Sequence, residues 1–436
     1  MMNWKKTIAG ILSAAMLLST AACANGGSGE NSGKSAAPAG GSSQHVTIKF
    51  ANSELLEQGY VSFWNGVKSG FEKKYPNYTI QWVTAPYAEL VNQVINMAGG
   101  GNKADVIYSE LDWTPTLKDA GLAVPVENVL PADFLADFYP SVLNAGKIDG
   151  KVYSLPIYES PFILYYNKDI FKQAGLDPEK PPKTYDEMLS MAEKISKLKT
   201  SGGSKIYPFG QTTASVAVSG AALTSMVYNF GGRVLTDDGK LDADNQGFQD
   251  AMKMIKTLDE KGYNPRNAKL KDLRNLFALG QLAMYYDQSW GFNGVQSINP
   301  KAKDFTASAA PLAGGQGKGE SLMQSHTLIF MNESAEMKDV LTKLSEYLIS
   351  TDVLKDYLSS TTPAYAPRKS MNIQNSSILK GAADSINSAK PNVFIPGLSD
   401  LDLELCTLAQ SITVGRKSVD DGISTYKSAA NAIINK

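Results

Sequence analysis

Cysteine and histidine are almost missing from this chain: 436 residues carry only Cys23, Cys406, His45 and His326. A transition-metal centre needs several such ligands close together, so no metal site and no cofactor is expected. His45 stands at the edge of the folded part, which leaves little from which to build a histidine-based triad. Basic runs are missing as well, and no basic patch interleaves with aromatics, which excludes a nucleic-acid partner. There is no GxSxG elbow, no P-loop and no GxGxxG followed by an acid. The apolar run Ile8–Leu18 is too short to span a membrane.

What is present describes a globular protein larger than a single core supports, so two lobes are expected. Hydrophobic residues make up 43% and charged residues 19%, an ordinary balance for a soluble fold. Residues 1–22 have the layout of an export signal: Lys5 and Lys6, then the apolar run, then small residues. Without them, 40 basic residues face 43 acidic ones, and anionic ligands held by bulk charge are disfavoured. Thr20-Ala21-Ala22-Cys23 resembles a lipobox, with Cys23 as the residue to be acylated; Thr20 stands where leucine is usual. Residues 24–44 are rich in Gly, Ser, Ala and Asn and read as a flexible tether. Cys406, in LDLELCTLA, then has no thiol partner and reads as a buried small apolar residue.

From Val46 the chain alternates strand and helix patterns. Val46–Phe50, Thr79–Thr84 and Ala104–Tyr108 read as strands. Trp64 sits in an apolar helical stripe with Val61, Val67 and Phe71, so it reads as core. Such a rhythm predicts a parallel sheet whose ligand site lies beyond the strand C-termini, at Asn52–Glu57 and Glu110–Trp113. At mid-chain, Val152–Ile157 and Phe162–Tyr166 form two apolar runs broken by Tyr158-Glu159-Ser160-Pro161. Pro156 and Pro161 deny backbone donors, so one strand leaves a sheet and the next enters another. Further on, Thr184 with Glu187 and Ser418 with Asp421 have capping-box spacing. Leu282–Trp290 reads as a strand, and His326–Met331 as a return to the first lobe.

The run DGKVYSLPIYESPFILYYNKDIFKQAGLDPEKPPKTYDEMLSMAEKI (Asp149–Ile195), with NFGGR at 229–233 and the strand ending in Trp290, resembles the extracellular solute-binding proteins of bacterial ABC importers. It is most similar to their sugar- and oligosaccharide-binding, maltose-binding-protein-like branch. That resemblance implies an α/β, two-lobed periplasmic-binding-protein-like fold. Each lobe would be a mostly parallel sheet flanked by helices, the two joined by a multi-strand hinge. Residues 45–158 and 326–362 would form the first lobe, and 159–325 and 363–436 the second. Crossings are expected near 158–160, 322–326 and 361–367.

A sugar presents apolar CH faces and a rim of hydroxyls, which call for aromatic platforms and charged hydrogen-bond partners. By the resemblance, Trp290 matches a sugar-stacking tryptophan and Asp112 a cleft aspartate, while Trp113 replaces an arginine. Tyr158 and Glu159 fall at the crossover, and Asn52 and Glu57 after the first strand. Asp287 is a rim acceptor or a strand-end cap. Tyr365 and Arg368 lie at the last crossover, where a hinge salt bridge is an equal alternative for Arg368. The family's second late sugar-stacking tryptophan has no aromatic counterpart in Ser399–Asp402. The resemblance implies a carbohydrate ligand, ABC permease partners and a monomer, while the lipobox and tether suit a lipid anchor on the outer face of the membrane at a Gram-positive surface. Glycerol phosphate derivatives are rival ligands. Paired carboxylates among Glu57, Asp112, Glu159 and Asp287 would also suit a glycoside hydrolase, but any oligosaccharide cleft holds such groups.

Overall fold

The computed structural model describes residues 45–435 except 375 and 396; the expected signal, Cys23 and the tether lie outside them. Nine strands carry the architecture: β1 (Val46–Ala51), β2 (Tyr78–Val83), β3 (Val106–Glu110), β4 (Leu155–Glu159), β5 (Phe162–Asn167), β6 (Tyr207–Gly210), β7 (Leu282–Gln288), β8 (Thr306–Ala309) and β9 (Ser325–Phe330). They form two sheets, in the orders β2-β1-β3-β9-β4 and β8-β5-β7-β6.

The pairing is more mixed than mostly parallel sheets. β1 is parallel to β2 and β3, as helical crossovers at Val61–Lys74 and Leu90–Gly99 require. β9 runs antiparallel to both β3 and β4, and β5 antiparallel to both β7 and β8. In the second sheet only β6 with β7 is parallel. The antiparallel strands belong to the segments that pass between sheets, which arrive without the helical crossover that sets a parallel direction.

Both sheets are covered on both faces, which explains runs of apolar residues without polar alternation. In β5, Leu164 and Tyr166 join one cluster with Met188, Met226, Met252 and Ile255. Ile163 and Tyr165 join another, with Leu273, Phe277 and Tyr285. In the first sheet, Phe50, Tyr108 and Phe330 pack with Trp64, Phe71 and the inner stripe Val340, Leu341, Leu344 and Leu348 of helix Ala335–Leu348. Trp64 is fully buried, and its indole N–H donates to Glu54 Oε2 at 2.6 Å, so its polar end is satisfied. Cys406 is buried too, on helix Leu398–Thr413.

Three segments meet where the chain passes between the sheets. Glu159 and Tyr365 exchange backbone hydrogen bonds, Ser160 N–H donates to Gln324 O and Phe162 N–H to Leu322 O. After this junction Ala364 and Met371 still pack with the first sheet, whereas Ile378, Leu379 and Ala382 pack beside the second. Tyr365, between Ala364 and Met371, packs with the second group.

Candidate ligand-binding cleft

Strand ends converge where the two bodies face each other. The C-terminal end of β3 delivers Tyr108, Ser109 and Glu110, β4 delivers Tyr158, the start of β9 carries His326, and the turn after β7 carries Trp290. With Ser53, Glu54, Glu57, Tyr60, Tyr87, Trp113 and Thr362 they line a first chamber of about 150 Å³. A second chamber, about 260 Å³, shares Tyr87, Glu110 and Trp113. It adds Asp112 and Thr116 from the first body, and Ala217, Val218, Ala221, Gln288, Leu398, Ser399 and Asp402 from the second. Only jointly do they reach the roughly 300–1,000 Å³ usual for small-molecule sites.

Aromatic rings build the walls of the first chamber. His326 stacks on Tyr108, centroids 5.0 Å apart and planes 5° apart, and its Nδ1 bonds the Tyr158 hydroxyl. Trp290 stands edge-on to Tyr158 at 6.0 Å and lies 5.0 Å from His326. Tyr87 and Trp113 form a second aromatic pair, 4.9 Å apart. Trp290 is held by the junction itself: Ser160 Oγ bonds Ser289 Oγ at 2.7 Å and accepts from Trp290 N–H at 3.4 Å.

Burial dominates the electrostatics. It pushes Glu54 up to about 7, although the Trp64, Tyr108 and Tyr357 side chains donate to its carboxylate. Glu110 also rises to about 7, chiefly through burial, the Tyr87 hydroxyl opposing and Asp112 reinforcing. Asp112 rises to about 6 by burial, against the Gln324 amide. Burial drops His326 to about 3, so its imidazole is neutral. Among the described residues, neither chamber is lined by a lysine or an arginine.

The candidate residues divide into two groups. Trp290, Trp113, Tyr158 and Glu57 line the first chamber and Asp112 the second. Asn52 is fully buried behind the cleft, where its Oδ1 accepts from Glu54 N–H at 2.9 Å. Asp287 is a correction: it is no rim acceptor, because it is fully buried in a bidentate pair with Arg274, at 2.6 and 2.7 Å. Gly291 serves that pair, since a Cβ there would come within 2.1 Å of Asp287 Oδ2. Arg368 binds Asp137 at 2.9 Å and Ile349 O at 2.8 Å, a salt bridge inside the first body, and it lines neither chamber. Tyr365 is buried with its hydroxyl on Leu379 O. Glu159 is fully buried, does not line either chamber, and neither of its carboxyl oxygens has a hydrogen-bond partner.

Sequence reasoning did not name Tyr60, Tyr87, Tyr108, Gln288 or His326 as cleft-lining residues, and it reached Glu54 and Asp402 only as members of the stretches Asn52–Glu57 and Ser399–Asp402. The position of His326 at the start of a returning strand was the available signal. For Asp402 the resemblance gave only the stretch Ser399–Asp402, because it reaches the cleft through the packing of helix Leu398–Thr413 on helix Ala217–Asn229. There Gly220 allows the close approach, as a Cβ on it would lie 2.4 Å from that of Asp402.

Among the described residues no helix is long and apolar enough to cross a membrane, and no cluster of three or more His, Cys, Asp or Glu could hold a metal ion. The fold is shared with a tagatose-bound ABC transporter solute-binding protein from Thermotoga lettingae (24% identity, 90% of this chain and 100% of that one, TM-score 0.75). It is also shared with a cyclic α-maltosyl-1,6-maltose-binding protein from Arthrobacter globiformis (18% identity, 89% and 99%, TM-score 0.77). In sequence the chain is 27% identical over 338 residues to the sn-glycerol-3-phosphate-binding periplasmic protein of Rhizobium meliloti, covering 73% of this chain and 75% of that protein. Residues 54–355 match the family model, a span that holds eight of the nine strands: this chain belongs to the bacterial extracellular solute-binding proteins.

Proposed function

We propose that the protein captures a carbohydrate, an oligosaccharide in the first instance, between its two lobes and hands it to the permease of an ABC importer. The observation that carries this reading is the first chamber itself. The aromatic rings of Trp290, Tyr158 and Trp113 line it together with the carboxyls of Glu54, Glu57 and Glu110. This is the combination that CH faces and hydroxyl rims require, and hydrogen bonds to charged groups are worth roughly 1.5–3 kcal/mol each. Structural relatives with sugars in their names support the same ligand class.

Glycerol phosphate is the second reading, favoured by the Rhizobium relative. A phosphate calls for Arg, Lys or a helix N-terminus, and carboxyls line both chambers without a cation among the described residues. Export and lipid anchoring at Cys23, with a Gram-positive surface location, belong to the proposal and rest on the N-terminal sequence. Calorimetry of the purified protein against mono- and oligosaccharides and glycerol 3-phosphate tests the ligand class. Stoichiometric binding of a sugar recovered intact supports it. Binding of glycerol 3-phosphate alone, or cleavage of the sugar, overturns it.

A further inference from the structure

The second chamber, like the first, is lined by carboxyls without a lysine or arginine among the described residues, but its acids come from both lobes. Glu110, Asp112 and Asp402 line it, with no lysine, arginine or histidine among its described lining residues. Two amide side chains reach it from the two sides of the junction. Gln288 and Gln324 are 4% and 5% exposed; Gln288 Oε1 has no hydrogen-bond partner, and the Gln324 amide faces the Asp112 carboxylate. Asp112 Oδ1 is unpartnered as well. Acceptors thus outnumber donors around this space, and its apolar wall includes Tyr87, Trp113, Val218 and Leu398.

Neutral hydroxyls would satisfy the two glutamines, since each hydroxyl both donates and accepts. They would leave the carboxyls of Glu110, Asp112 and Asp402 without a counter-charge, and neighbouring like charges resist ionisation. An ammonium group resolves this arrangement. It donates three hydrogen bonds, accepts none and compensates carboxylate charge, and aromatic faces such as Tyr87 and Trp113 tolerate a cation beside them. A bare metal ion is a poorer occupant, because no three acids of the described chain converge closely enough to hold one. Direct effects of Asp112 on both Glu110 and Asp402 agree with one shared electrostatic site.

We propose that this chamber selects the amine of an amino sugar, with Asp112 and Asp402 as its counter-charges from opposite lobes. The inference rests on the saccharide reading above and narrows its substrate class. The test compares matched pairs by calorimetry near neutral pH: glucosamine-containing mono- and disaccharides, their N-acetylated forms and the plain glucose analogues. The free-amine member of a pair should bind about tenfold or more tighter than its neutral partners, the scale of one charge-assisted hydrogen bond. In Asp402→Asn and Asp112→Asn, checked for unchanged melting temperature, that ratio should fall toward one. A neutral sugar that binds as well as its amino analogue overturns the inference and leaves the proposed function standing. Binding of glycerol 3-phosphate alone overturns both.

Discussion

Glu159 and Tyr365 exchange both backbone hydrogen bonds, at 2.9 Å each, and so lock two of the three segments that pass between the sheets. Their side chains take no part in the lock. Tyr365 turns its hydroxyl to Leu379 O, and the Glu159 carboxyl lies fully buried without a partner. Burial, with nothing to offset it, holds that carboxyl well above the ordinary value of 4.5.

The sign of the consequence follows from proton binding. Below the ordinary value Glu159 is protonated in both folded and unfolded chains. As pH rises past it, only the unfolded chain releases the proton, so stability falls by up to about 1.4 kcal/mol per pH unit until the folded value is reached. Glu159→Met keeps the length of the side chain and removes the group that is left unmatched. It should raise stability at neutral pH by about 1–3 kcal/mol and flatten its decline between about pH 5 and about pH 8. Denaturant unfolding at the two pH values measures both effects. An unchanged pH slope would show that the carboxyl is not held neutral.

Asp287 gives the opposite case, a buried charge that is fully partnered. Asp287→Asn strands the Arg274 guanidinium in a site where it is only 22% exposed, and should destabilise the fold by about 3–5 kcal/mol. Gly291→Ala should act on the same pair by driving a methyl group into the carboxylate. Thermal unfolding should register both losses, while ligand affinity of the folded fraction stays near wild type. Lost affinity at full stability would return Asp287 to the list of ligand contacts.

The N-terminal proposal is separately testable. Cys23→Ala should release the protein from membranes, or leave it exported and unprocessed, because no thiol remains for acylation. Fractionation with metabolic labelling by a fatty acid reads the outcome. Membrane retention with normal cleavage would rule out the anchor.

How far these features could be read from sequence depended on how local their causes are. β1, β3 and the helix stripes follow from periodicity, and the caps at Thr184 and Ser418 from residues three positions apart. β6 was not legible, for it is four residues long and contains Pro208. Its existence depends on β7 alongside it. The buried state of Glu54 was hidden for a similar reason. A glutamate in a polar loop looks solvated, and only Trp64, Tyr108 and Tyr357, up to 303 residues away, reveal where it sits. Conversely, Trp290 was visible because it closes a strand, although the ring that it approaches, His326, could not be named.

Trp290 is where stability and binding can be told apart. Its ring is partly buried against the first body, edge-on to Tyr158 and beside His326, yet it also lines the first chamber. Trp64 is the natural comparison, being fully buried and bonded to Glu54. Trp64→Ala should cost roughly 3–5 kcal/mol of stability and leave the affinity of the surviving folded protein largely intact. Trp290→Ala removes a partly buried ring that lines the first chamber. It should cost less stability than Trp64→Ala and weaken sugar binding by about 1–3 kcal/mol, the range for stacking on a flat ligand face. Melting temperature and calorimetric affinity, measured on both variants, give four values that must fall in this pattern. If Trp290→Ala unfolds the protein as far as Trp64→Ala while its folded fraction binds sugar normally, Trp290 is a packing residue and the first chamber has lost its platform.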